Sequence, residues 1–140
     1  MNNRIKNKVE ELERCMEELA MIRPDTFEQY KVDVKTKAAC ERYFEKIVEN
    51  IVDIGFLAIR AENLPAPEEE KETFSILERA NIIEPMLAKK LKEAKGMRNI
   101  IAHQYGEVDD ELVFAAIKEE LGHDAQAFIL SLNKFMKKRK

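Results

Sequence analysis

Glycine and proline are scarce here, four of each in 140 residues. A fold of strands and tight turns needs a turn former every few residues, so an all-β sandwich or barrel is excluded. A glycine-rich nucleotide-binding sheet goes with it. Cysteine is almost absent: Cys15 and Cys40 stand alone, which excludes a disulfide scaffold and leaves no zinc motif. They read as ordinary helix residues in a reducing compartment. The net charge is only −3, too small for a chain that binds nucleic acid or a membrane with its whole surface. The longest uncharged apolar stretch, Ile54 to Ile59, falls far short of the roughly 20 residues that span a bilayer. From Met1 to Cys15 charge alternates, with no apolar signal region. The expectation is a soluble, cytoplasmic protein that meets no membrane.

What is abundant is helical. Ala, Glu, Lys, Leu and Arg supply 70 residues, half the chain, and Leu, Ile, Val and Phe supply 38, enough for a real core. Residues 1–140 are expected to form one all-α domain, an antiparallel up-down bundle of four to six helices. Ile5, Val9, Leu12, Met16, Leu19 and Ile22 form a narrow helical stripe after a cap at Asn2 or Asn3, ended by Pro24. Thr26 is placed to cap a long second helix reaching about Ala61, with Phe44, Ile47, Val48, Ile51, Ile54 and Ala58 on a broad apolar face. Leu64 to Glu72 is the one clear loop. Thr73 is expected to cap a short helix ending near Asn81, and Pro85 to open another that stops at Gly106. A cap at Asp109 or Asp110 starts a helix closed by Gly122, and Asp124 caps the last one.

Most polar residues then fall on solvated faces, and one segment stands apart: Gly96 to Gly106. It holds Arg98, Asn99, His103 and Tyr105, and so one of only two histidines. The bland alternative is that Arg98 and Tyr105 pack along a stripe while His103 sits favourably at a helix C-terminus. Helix geometry sharpens the other reading. Five residues turn the helix ~500°, so Arg98 and His103 point about 140° apart and ~7.5 Å along the axis. Asn99 and His103 share one face. A site using Arg98 and His103 together needs the helix to end near His103, a long arginine reach, or a second copy across a dimer axis. Local charge favours a phosphate partner: Lys89, Lys90, Lys92, Lys95 and Arg98 face only Glu93 between Pro85 and Gly106. The lysine-rich tail from Lys134 to Lys140 is a second basic patch, read as solubilising surface. Asp53, an acid on the apolar face of the long helix, is either a cleft residue or a solvated one. No cluster has metal-ligand spacing.

The run Arg98-Asn99-x3-His103-x-Tyr105, in this order of helices, resembles the Arg-x4-His-x-Tyr signature of HEPN-domain proteins, specifically the HepT-like toxins paired with minimal nucleotidyltransferases (MNT). The resemblance extends over Cys40-Glu41-Arg42, Asp53-Ile54-Gly55, the proline loop and the helix after Asp109. It implies a helical bundle that forms a two-fold dimer with the signature residues at the interface. It further implies metal-independent cleavage of RNA, of the tRNA or mRNA class, with no cofactor. Carried over, His103 is the acid/base residue, Arg98 holds the scissile phosphate and Asn99 orients the site. Tyr105 is the acceptor of AMP from an MNT-type antitoxin, which silences the toxin. The alternative from another class is a non-catalytic HEPN module that binds a partner nucleotidyltransferase or its nucleotide; His103 discriminates the two, because only the nuclease needs it.

Overall fold

Asn2 starts the first helix, its side-chain oxygen accepting from the Ile5 amide at 2.9 Å and so satisfying a donor that the helix itself leaves unpaired. The structure, a computed structural model, describes residues 2–103 and 108–138. Helix α1 (Asn3–Ile22) buries Ile5, Val9, Leu12, Cys15 and Leu19. Arg23, before Pro24, takes an extended ψ of 135°, the conformation a following proline imposes.

The long second helix is divided. Thr26 caps α2 (Phe27–Val32) through a capping box with Gln29, and α3 (Val34–Ala61) begins afresh behind Asp33. The Asp33 carboxylate accepts from the Thr36 amide at 3.2 Å and the Thr36 hydroxyl at 2.8 Å. An aspartate offering those acceptors competes with helix continuation, and the exposed flanking valines Val32 and Val34 oppose the break only weakly. The short α2 can therefore turn Tyr30 fully into the core, 5.2 Å from the Phe114 ring.

Helix α3 is the centre of the bundle, touching α1, α2 and three later helices, α4 (Glu72–Arg79), α5 (Pro85–His103) and α7 (Leu121–Lys138). Its pairing with α1 is antiparallel: Glu18 meets Tyr43, Cys15 meets Asn50 and Lys8 meets Asp53. Fully burying an Ile or Phe stabilises by about 1.5–3 kcal/mol, several times the propensity differences among ordinary residues. Packing thus decides which face of α3 turns inward. All described residues in regular structure are helical, as expected of an all-α bundle. No helix among them is long and apolar enough to cross a membrane.

Two expected caps are overturned. Thr73 does not cap α4; it lies inside the helix, fully buried, and Lys71 stands at the start without a side-chain cap. Its methyl is needed where α4 crosses α3 at Gly55, since a Cβ there would lie 2.7 Å from Thr73 Cγ2. Gly122 does not end a helix either, and Asp124 does not begin one. Asp109 caps α6 (Asp110–Ala115), a π-helical turn follows over Ala116–Glu120, and α7 continues to Lys138. Val113, Ile117, Leu121 and Ala125 are all buried. Steps of four residues drift ~40° each in an α-helix, and the wider turn absorbs that drift, keeping them on one face. An isolated glycine costs only ~1 kcal/mol, too little to end a helix so well packed. Gly106, the expected stop of α5, lies outside the described residues, as do Arg139 and Lys140 of the tail.

Candidate active site

The candidate segment stands on α5, which Pro85 opens and which runs unbroken to His103. Over that length Leu87, Ala88, Leu91 and Ile101 anchor one face in the core. The basic face is held across from α3 and the proline loop.

Arg98 is the hub. Its Nη2 donates to Glu49 Oε1 of α3 at 2.9 Å, and its Nη1 to Asn99 Oδ1 at 3.1 Å. Its Nε is buried and has no hydrogen-bond partner. The guanidinium is thus fixed in place by two contacts, which leave three of its five N–H donors, the buried Nε among them, for a ligand. Glu49 also lies 3.8 Å from Arg42, which is itself bonded to Glu45 at 3.1 Å. Behind Arg98, Lys95 donates to the same Asn99 Oδ1 at 3.0 Å and pairs with Glu70 of the loop at 3.1 Å. The Lys95 side chain is only 9% exposed. A cavity of about 520 Å³ opens beside this cluster, lined by Lys92, Lys95, Gly96 and Asn99 from α5 and by Glu69, Glu70 and Lys71 from the loop.

Of the residues singled out from the sequence, Arg98 and Asn99 are brought together. His103 is exposed at the last described position of α5. Because the helix does not end before it, the ~140° divergence from Arg98 stands. Tyr105 lies outside the described residues. Asp53 is not in the cluster and does not lie on the buried face: it is exposed and pairs with Lys8 of α1 at 3.3 Å. Burial opposes the Lys8 charge, but Asp53, with Glu11 behind it, outweighs that and holds the ammonium above its ordinary pKa. Among the described residues, no three His, Cys, Asp or Glu side chains converge in a way that would hold a metal ion.

Sequence reasoning missed Glu49 and Glu70, and read Lys95 only as part of the basic helix. The Lys95–Asn99 contact was legible as an i,i+4 pair. The two glutamates were not, since they lie 49 and 25 positions from their partners and only the packing of α3, the loop and α5 unites them. Chemically the cluster offers a fixed guanidinium and an oriented amide, the donor set for a phosphodiester.

The family described as ribonuclease HepT-like matches over residues 5–132. The mRNA nuclease HepT of Shewanella oneidensis is 28% identical over 129 residues, covering 92% of this chain and 96% of that protein. The tRNA nuclease HepT of Aphanizomenon flos-aquae is 25% identical over 113 residues, covering 81% of this chain and 77% of that protein. The chain also superposes on the tri-AMPylated Shewanella oneidensis HEPN toxin, solved in complex with its MNT antitoxin. That match has a TM-score of 0.90 and 27% identity, covering 96% of this chain and 99% of that one.

Proposed function

The chain belongs to the HepT-like ribonuclease family, and from that premise we propose that residues 1–140 act as one domain, a metal-independent endoribonuclease toxin. The observation that carries the reading is Arg98, anchored between Glu49 and Asn99 on a basic helix that leads to an exposed His103.

In this reading the RNA's own 2′-hydroxyl oxygen attacks the adjacent phosphorus and the bond to the 5′ oxygen breaks. The nucleophile is built into the substrate, so the protein need only align it and move protons. His103 removes the proton from the 2′-hydroxyl or delivers one to the leaving 5′ oxygen, tasks suited to an imidazole, whose ring nitrogens can both accept and donate a proton. Arg98 neutralises charge accumulating on the phosphorane-like transition state. Asn99 orients the phosphate by hydrogen bonding. Arg98 and His103 diverge along one continuous helix, so the complete site combines Arg98 of one copy with His103 of another across a two-fold axis. Exposed Ile100, between the two residues on α5, is apolar surface suited to such an interface. Tyr105 is the AMP acceptor for an MNT-type nucleotidyltransferase antitoxin; the support is that a similar toxin is AMPylated and bound to an MNT antitoxin. The added phosphate brings negative charge where RNA would bind, and so blocks it.

The test is cleavage of RNA by the purified chain. Products should carry 2′,3′-cyclic phosphate and 5′-hydroxyl ends, EDTA should leave the rate unchanged, and DNA should be inert. His103→Ala should lose about 10²–10⁴-fold in rate, the usual share of a positioned acid/base group. Dependence on Mg²⁺, or cleavage surviving in His103→Ala, refutes the mechanism and favours the non-catalytic module. For Tyr105, mass spectrometry after co-expression with an MNT-type partner should find added AMP on the wild type and none on Tyr105→Phe.

A further inference from the structure

Lysine is almost never buried unless something specific requires its charge, and Lys95 is buried in the one place where α5 carries the proposed chemistry. Its Nζ reaches Asn99 Oδ1 at 3.0 Å, and Arg98 Nη1 reaches the same oxygen at 3.1 Å. Glu70 balances one cation and Glu49 the other. A methionine would fill the same space without the cost of desolvating an ammonium. A mere tether for the loop would not need to engage Asn99.

The consequence lies in the amide. A carbonyl oxygen has two lone pairs, and here two cationic donors converge on it. If the amide flipped, its NH₂ would face both cations, donor against donor. The amide therefore has one orientation, with Nδ2 and its two hydrogens directed away from Lys95 and Arg98. We infer that Lys95 is a positioning residue for RNA cleavage: it locks the Asn99 amide so that Nδ2 presents a preoriented donor to a phosphate oxygen held by Arg98. This rests on the ribonuclease reading above. Lys95 touches no substrate in this arrangement and acts through Asn99. The adjoining 520 Å³ cavity, open at Gly96, where an added Cβ would meet nothing within 4 Å, gives the RNA strand room to pass.

The experiment is a double-variant cycle on the full chain. Lys95→Met should lower kcat about ten- to hundredfold, the scale of a lost hydrogen bond to a charged group, with a smaller change in KM. Lys95→Arg, which keeps a cationic donor, should recover part of the rate. In an Asn99→Ala background, Lys95→Met should change the rate by less than about twofold, as expected if one residue acts through the other. Independently of RNA, ¹⁵N relaxation of the Asn99 side-chain amide should show an ordered NH₂ in the wild type and a mobile one, with an order parameter below about 0.6, in Lys95→Met. Should Lys95→Met lose its helical circular dichroism, Lys95→Leu carries the same test, since it too has no donor for Asn99. If Asn99→Ala is impaired but Lys95→Met adds its full loss to it, or the amide stays ordered without Lys95, the inference is wrong and the ribonuclease reading stands. If Asn99→Ala cleaves like the wild type, the role of Asn99 in the ribonuclease reading fails and that of Lys95 falls with it.

Discussion

Gly55→Ala should destabilise this bundle although alanine is the better helix former. Gly55 lies in the middle of α3, where the substitution gains about 1 kcal/mol of intrinsic propensity. Against that, an added Cβ would lie 2.7 Å from Thr73 Cγ2 and 3.2 Å from Leu77 Cδ1. Thr73 is fully buried and β-branched, so its methyl has no free rotamer into which to retreat. Overpacking of this kind costs about 1–3 kcal/mol, leaving a net loss of up to about 2 kcal/mol. At roughly 3 °C per kcal/mol for a chain of this size, Tm should fall by up to about 6 °C. The decisive variant is Thr73→Ser, which deletes the offending methyl. In the wild type it should lower stability by about 0.8 kcal/mol, the value of one buried carbon. In the Gly55→Ala background it should raise stability instead. Thermal or urea unfolding of the four chains measures this directly. If Thr73→Ser lowers stability equally in both backgrounds, the crowding is not at Thr73 and the account of the α3–α4 crossing is wrong.

Glu49 occupies Arg98 where an RNA phosphate would bind, so Glu49→Gln should remove a competitor. In a cleavage-silent His103→Ala background, fluorescence anisotropy should show RNA affinity improving about two- to fivefold, a modest gain for a partly exposed ion pair; weaker binding would mean that Glu49 aims Arg98 rather than competing for it. Burial pushes the Cys40 thiol up to about 11 from 9.0, so a thiol reagent at pH 8 should leave it unmodified until the chain unfolds. The sign for stability follows: the unfolded thiol ionises first, so Cys40's contribution is complete below pH 9 and is lost as pH rises through 11. Rapid native labelling at Cys40, or a stability that climbs over that window, contradicts the burial.

The sequence by itself determined the helical class, the placement of most helices and the segment proposed to carry the chemistry. These depend on short-range patterns: spacings of three and four in α1 and α3, prolines at Pro24 and Pro85, and the signature through Arg98, Asn99 and His103 on one helix. Local rules failed where a residue's neighbours come from elsewhere. Thr73 looked like a cap and is instead the methyl that Gly55 makes room for. Gly122 looked like a stop, but the core contacts of Leu121 and Ala125 carry the helix through it. Asp53 could be read as a cleft acid or a solvated residue; α1 brings Lys8 to it, while the acids that hold the cluster are Glu49 and Glu70. Which charges meet Arg98 and Lys95 depends on how α3, the proline loop and α5 are brought together, and that is set by the summed burial of apolar side chains from all of them. No local spacing encodes such a sum, so the partners of the site were decided only in the tertiary structure.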